Sequence, residues 1–296
     1  MARISLSQTL LHLFFWVAAL ASILPILLVV GISFSDETTI LANGYKFIPD
    51  VFSLKAYDYL GNQISQIIQA YGISILVTVV GTLLSLLLIA LYAYPLSRPE
   101  LKFRHGFALF IFITMLFNGG LVPWYLVYVN LLGLKDSLWA LILPLLLSPF
   151  FVIIMRTFFQ TTIPPSLIES ATIDGASEIK IFWKIVLPLS LPVLATIGLF
   201  NTLNYWNDWF LSLTFIESPE KVSLQYLMYK TLLNIQYLTT NSQAANALSA
   251  AGGLKDIPNR TLQMAMAVVG IGPIVFAYPF FQKYFIRGLT IGAVKG

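Results

Sequence analysis

Of the 296 residues, 58% are hydrophobic and only 10% charged, and the mean hydropathy is +0.82; a water-soluble domain of this length would carry far more charge. There is no cysteine, which removes disulfides, iron–sulfur clusters and thiolate metal sites, and the two histidines, His12 and His105, stand too far apart to suggest a metal site. The net charge of +4 calls for no nucleic acid partner, because it follows from where Lys and Arg sit between apolar runs.

A bilayer core takes about 20 consecutive apolar residues and disfavours ions, so charge-free windows locate spans. The first window, Ile4 to Ser35, is much longer than the apolar region of about 7 to 15 residues in a secretory signal, and a first transmembrane helix is expected over 9–33. An outer loop from Asp36 to about Gln66 carries Gly44 and Pro49. Helices follow over about 67–95 and 106–128, the latter holding "MLFNGGLVPWY", where Gly119, Gly120 and Pro123 remove bulk and one backbone donor and favour a kink or a close helix contact. Further helices are expected over about 137–158, 190–215 and 261–285. The segment 217–260 reads as an extracellular loop, because the charge-free run Thr231 to Leu254 is rich in Asn, Gln, Thr and Ser. Long loops of this kind are functional or simply cover the outer face.

The fold class is therefore an all-α membrane protein with six transmembrane helices, 1–296 forming a single transmembrane domain. With the N-terminus inside, the inner loops are basic (Arg3, Arg98, Lys102, Arg104, Arg156) and the outer ones acidic (Asp36, Glu37, Asp136, Glu217, Glu220), which puts both termini in the cytoplasm. No GxSxG, HExxH or GxxxxGK[ST] pattern occurs. The chain is read as no enzyme, and any energy it uses must come from another subunit.

One segment breaks the apolar monotony: "PPSLIESATIDGASEIKIFWKIVLPLSLP", Pro164 to Pro192. Pro164 and Pro165 stop the fourth helix. Ser166 and Glu169 have capping-box spacing for a short new helix, with Leu167, Ile168 and Ala171 on its apolar side. Asp174 and Gly175 suit its end, since Gly tolerates the left-handed C-terminal cap. Ser177 then caps a second short helix with Ile179, Phe182, Trp183 and Val186 on one face, and Pro188 and Pro192 bend the chain into the fifth span. Periodicity leaves two readings open: a docking elbow over 164–188, or an amphipathic loop resting on lipid headgroups.

The spacing of Glu169-Ser170-Ala171, Gly175, Ile185 and Leu187-Pro188 resembles the "EAA" signature of bacterial ABC importer permeases, with Ser170 for the first Ala as the sole departure. Together with "YWNDWF" at Tyr205 to Phe210 and the ending "YFIRGLTIGAVKG", the whole chain resembles carbohydrate-uptake permeases related to the smaller maltose-type membrane subunit, most closely those handling complex or acidic oligosaccharides. The resemblance implies a type I ABC importer permease fold and a coupling helix seated in a cytoplasmic ATPase, with Glu169, Ser170, Ala171, Asp174, Gly175 and Ala176 at that contact and the tail residues Gly292 and Lys295 reaching the same interface. It implies as partners a second homologous permease subunit forming a heterodimer, two ABC ATPase subunits that bind the ATP and Mg, an extracellular solute-binding protein and an oligosaccharide. No cofactor is expected in this chain.

Helix five places Asn201, Asn204, Tyr205 and Asp208 at i, i+3, i+4 and i+7, one face near mid-bilayer. Amides bond sugar hydroxyls and aromatic rings stack on sugar C–H faces, so Asn201, Asn204, Tyr205, Trp206, Asn207, Asp208 and Trp209 are candidate substrate-path residues, with Asn118 and Trp124 weaker candidates. The competing reading is that Asn bonds helices together and that Trp and Tyr mark the membrane interface. Alternatives for the function are an importer of amino acids or peptides, and a secondary transporter; the latter would carry buried charges or an internal repeat, neither of which is apparent.

Overall fold

The structure is a computed structural model that describes residues 6–241, 243 and 258–282. Among these residues the chain is helical, apart from loops and one isolated antiparallel bridge, Ser35 to Phe52. The described residues fall into two compact units, one within 1–67 and 228–272, the other within 68–227 and 273–296.

In the first unit, α1 (Leu6–Ser33) is apolar along its whole length, as expected where lipid rather than water is the solvent. Two short helices follow, α2 (Glu37–Asn43) and α3 (Lys55–Gly61). Asp36 caps α2 by accepting from the Thr38 backbone N–H at 3.1 Å. The loop between these helices is fastened by Phe34, whose ring stacks on Phe52 and Tyr57 at 5.5 and 4.9 Å. The Glu37 carboxylate accepts from the backbone N–H groups of Arg260 and Thr261, both at 3.0 Å, at the start of a later helix, Asn259–Ile271. It thereby satisfies donors that a helix start leaves open.

The second unit is built on α4 (Ile64–Ser97), most of which lies in it, and on a series of broken helices. α5 (Arg104–Leu116) and α6 (Leu121–Leu131) meet at 116°, α7 (Trp139–Leu145) and α8 (Pro149–Thr162) at 51°. After α9 (Pro165–Ile173), α10 (Glu178–Leu189) meets α11 (Leu191–Asn207) at 77°, and α12 (Phe210–Phe215) follows a second interruption. α13 (Leu224–Thr240), apart from its first four residues, and α14 (Asn259–Ile271) belong to the first unit, and α14 continues into a tight turn over Gly272–Phe276. α1, α4 and the stretch Asn259–Gln282 are each long and apolar enough to cross a membrane, and the three bent pairs also pass when each is taken as one span.

Four sequence expectations are corrected. The Gly119-Gly120 kink is a full break, with Gly120 at φ +86° and its N–H donated to Asn118 Oδ1 at 2.9 Å. The fifth span does not run to 215: α11 ends at Asn207, and Asp208 turns the chain out of helical geometry. The run from Thr231 is not all loop, because α13 continues to Thr240; an amide- and threonine-rich sequence still forms a helix when Leu227, Met228 and Ile235 have a face to bury. The rest of the expected loop, residues 244–257, lies outside the described residues. Finally, no capping box forms, since α9 already starts at Pro165 and leaves Ser166 inside the helix.

Two clusters hold the second unit together. One joins Ile89, Ala93 and Tyr94 of α4 with Phe151, Met155 and Phe159 of α8, Ile168 of α9, and Ile181, Phe182 and Val186 of α10. The other joins Val77 of α4 with Leu141 and Ile142 of α7, Tyr205 of α11 and Phe215 of α12. Where lipid tails are as apolar as Leu, such contacts stabilise through close packing more than through exclusion of water.

Candidate functional site

The elbow, α9 and α10, is shaped by its caps. α9 ends in a Schellman motif: Ala176 N–H donates to the Ala171 carbonyl at 2.9 Å and Gly175 N–H to the Thr172 carbonyl at 3.0 Å. The motif needs a left-handed residue at Gly175, whose φ is +76°. Ser177 caps α10 as its sequence position predicts, accepting from Lys180 N–H at 3.4 Å. Of the six elbow residues singled out, Glu169, Ser170, Asp174 and Gly175 are exposed, while Ala171 and Ala176 are half-buried against the unit's own core.

The apolar face differs from the one that helical periodicity predicts. Ile181, Phe182 and Val186 are buried, whereas Ile179 and Trp183 are 72% and 52% exposed. The side packed on the unit's core runs through Ile181, Phe182, Ile185 and Val186, which leaves Ile179 and Trp183 on the flank away from it. Leu167 is also exposed, and Ile173, at the tip of α9, is 86% exposed. The elbow thus presents a row of uncovered apolar side chains beside Glu169, Asp174 and Gly175.

It is also pinned to the unit. Tyr94 Oη donates to Glu178 Oε2 at 2.6 Å, Arg98 Nη2 lies 3.7 Å from Glu178 Oε1, and the Tyr94 ring packs on Phe182 at 5.2 Å and Phe159 at 6.3 Å. Sequence reasoning missed Tyr94 and Arg98. The available signal was a Tyr one turn before the basic end of an apolar helix.

At the other end of the unit, the α11 residues divide. Asn201 is buried and its amide donates to Ser85 Oγ at 2.9 Å, which in turn donates to the Leu146 carbonyl at 2.6 Å. Tyr205 is buried with its hydroxyl donated to the Ile142 carbonyl at 2.9 Å, and its ring lies over Gly81, where any Cβ would overlap it. Trp206 is buried, with Tyr71 6.2 Å from its ring. These three tie α4, α7 and α11 together, the helix-bonding role weighed against a sugar contact. Asn204, Asn207 and Trp209 are exposed and Asp208 is half-buried.

Asp208 opens onto a cleft of about 330 Å³ that Asn118, Gly120, Trp124, Pro144 and Phe210 also line. The structure therefore brings together Asn118, Trp124 and Asp208, which the sequence offered separately. Both helix interruptions, at residues 117–120 and 208–209, face this cleft. Non-helical backbone at membrane depth is tolerated where it lines protein or a water-filled cavity.

Beyond the cleft, a corner that sequence reasoning did not anticipate is stapled by Asp136, a non-glycine residue at φ +53°. Its carboxylate accepts from Lys221 Nζ at 2.9 Å, Ser218 Oγ at 2.6 Å and the backbone N–H groups of Glu217 and Ser218. The Lys221 and Ser218 bonds hold the Asp136 carboxyl well below its ordinary value. Lys135 pairs with Glu217 at 2.8 Å. The tail residues Gly292 and Lys295 lie outside the described residues.

Apolar broken helices around an open cleft that carries Asn118 and Asp208, with an elbow of exposed apolar side chains at the far end, are the parts of a membrane transport component. The chain belongs to the binding-protein-dependent transport system inner membrane component family, whose pattern it matches over residues 106–291. It is 40% identical over 291 residues to the polygalacturonan/rhamnogalacturonan transport system permease protein YtcP of Bacillus subtilis (strain 168), covering 98% of this chain and 99% of that one. It is also 40% identical to Protein LplC of the same organism over 276 residues, 93% of this chain and 90% of the other. Among solved structures, a chain of a bacterial ABC transporter involved in the import of the acidic polysaccharide alginate superposes with a TM-score of 0.76 at 30% identity, over 96% of this chain and all of that one.

Proposed function

We propose that this chain is one of two homologous membrane subunits of an ABC importer that carries an oligosaccharide of the complex or acidic type across the inner membrane. It crosses the bilayer six times with both termini in the cytoplasm, receives solute from an extracellular binding protein, and is driven by two ATPase subunits that hold the ATP and Mg. The relatives' polysaccharide systems support the substrate class.

The observation that carries the coupling role is the elbow's combination of exposure and restraint. Ile173, Ile179 and Trp183 are uncovered, yet the backbone behind them is held by the Schellman cap and by Glu178 bonded to Tyr94. A partner gripping those side chains would move α4 and α8 with them, as a hinged body rather than a floppy loop. ATP drives transport only if the partner's closed and open forms hold the elbow differently; equal affinity would shift nothing. In this reading Glu169, Ser170, Asp174 and Gly175 meet the ATPase, Ala171 and Ala176 shape the elbow from beneath, and Gly292 and Lys295 reach the same partner. Asn204, Asn207, Asp208 and Trp209 border the solute path, with Asn201, Tyr205 and Trp206 bracing it.

The test is reconstitution of the chain with its partner permease, ATPase and binding protein in vesicles. ATP-dependent glycan uptake is expected, and Gly175→Arg should abolish both uptake and ATPase co-purification. Uptake by this chain alone, without any ATPase, would overturn the proposal.

A further inference from the structure

Among the described residues, the cleft beside the two helix breaks holds one ionisable group, Asp208, and no cation to balance it. Asp208 Oδ1 accepts the Leu211 N–H at 2.9 Å, and its second oxygen has no hydrogen-bond partner among the described residues. Among the described residues no Lys or Arg lines the cleft. The lysines of the adjoining corner are occupied, Lys221 by Asp136 and Lys135 by Glu217. Across the cleft, Asn118 uses its carbonyl oxygen for the Gly120 N–H, which leaves its amide N–H groups to donate. Trp124 is held in place by Phe215 at 4.9 Å and by Phe210 stacked at 6.3 Å. A free carboxylate oxygen, a free amide donor and a fixed indole therefore line one cleft.

We infer that this cleft is a subsite for a neutral pyranose residue, whose hydroxyls donate to Asp208 and accept from Asn118 while its C–H face rests on Trp124, and that Asp208 excludes a uronate there. The inference rests on the glycan importer reading above and narrows it: acidic residues of the solute are left to other parts of the complex. Two carboxylates within about 10 Å, at an effective dielectric of about 20, repel by an amount equivalent to roughly tenfold or more in affinity.

The probes are tritiated galactotriose and trigalacturonate of the same linkage, measured by equilibrium dialysis against the purified complex of both permease subunits with the ATPases, without binding protein. Asp208→Asn keeps the side-chain shape and an acceptor for the Leu211 N–H, and it should shift the ratio of the two Kd values towards trigalacturonate by about tenfold. The subsite is overturned if Asp208→Asn leaves the ratio of the two Kd values unchanged, or if galactotriose does not bind. ATP-driven uptake in vesicles is read separately. Its absence counts against the importer function, whereas its persistence alongside an unchanged Kd ratio sinks the subsite alone.

Discussion

The elbow and the cleft solve opposite problems with the same kind of chain. At the elbow, every turn is closed: a Schellman cap, a Ser177 cap and the bond from Tyr94 to Glu178 leave little backbone free, while apolar side chains stand uncovered. At the cleft, the helices are broken and the backbone is exposed, while the polar side chains Asn118 and Asp208 stand ready. A part that transmits force has to be stiff and must offer a surface for a partner. A part that passes a polar solute through lipid has to supply hydrogen-bonding groups without leaving them facing hydrocarbon.

The comparison breaks most sharply at Gly175. An Arg there would hold a side chain at φ +76°, costing about 1–2 kcal/mol, but its Cβ would meet no atom of the described residues beyond its chain neighbours within 4 Å. The fold should therefore tolerate it better than the partner does: loss of ATPase co-purification with retained expression is expected, and Gly175→Ala should be far milder. A chain that fails to accumulate in the membrane would instead mark the elbow as a folding element.

Next in size are the braces behind the cleft. Asn201→Ala removes a buried amide from the Ser85 chain, and a loss of about 2 kcal/mol is expected. Tyr205→Phe leaves the Ile142 carbonyl without its donor, at about 1–2 kcal/mol. Thermal unfolding in detergent reads both. Wild-type stability in the two variants would mean that α11 is not tied to α4 and α7 in the way the distances indicate.

Glu178→Gln tests the stiffness of the elbow. Its carboxylate is largely exposed, so the change in stability should stay below about 1 kcal/mol. The expected effect is on coupling, with less solute moved per ATP hydrolysed in the reconstituted complex. An unchanged ratio would show that the Phe182 packing suffices.

The smallest effect belongs to the Asp136 corner. Because the folded-state carboxyl titrates below its ordinary value of 3.8, its contribution is complete above that pH and is lost only as pH falls further towards the depressed value. The corner should therefore keep its amide protection through mildly acidic conditions. Asp136→Asn should raise hydrogen exchange at Glu217 and Ser218 at neutral pH; exchange that is already fast in the unaltered protein would remove the staple from consideration.

What the sequence determined by itself were the features whose cause is local. A charge in a bilayer is costly wherever it stands, so charge-free runs located the apolar segments. A glycine after Asp at a helix end has one common use, so the turn at Gly175 was legible, as was the Ser177 cap. The buried face was not legible, because in a chain this apolar the contrast between sides of a helix fades: Ile179 and Trp183 are exposed beside the buried Ile181 and Phe182. The partners of Asn201 and Tyr205 lie 116 and 63 residues away, so the bonds they make to α4 and α7 came into view only in three dimensions. Likewise Asn118, Trp124 and Asp208 become one cleft only through two helix breaks, and a break depends on what the freed backbone can find in three dimensions.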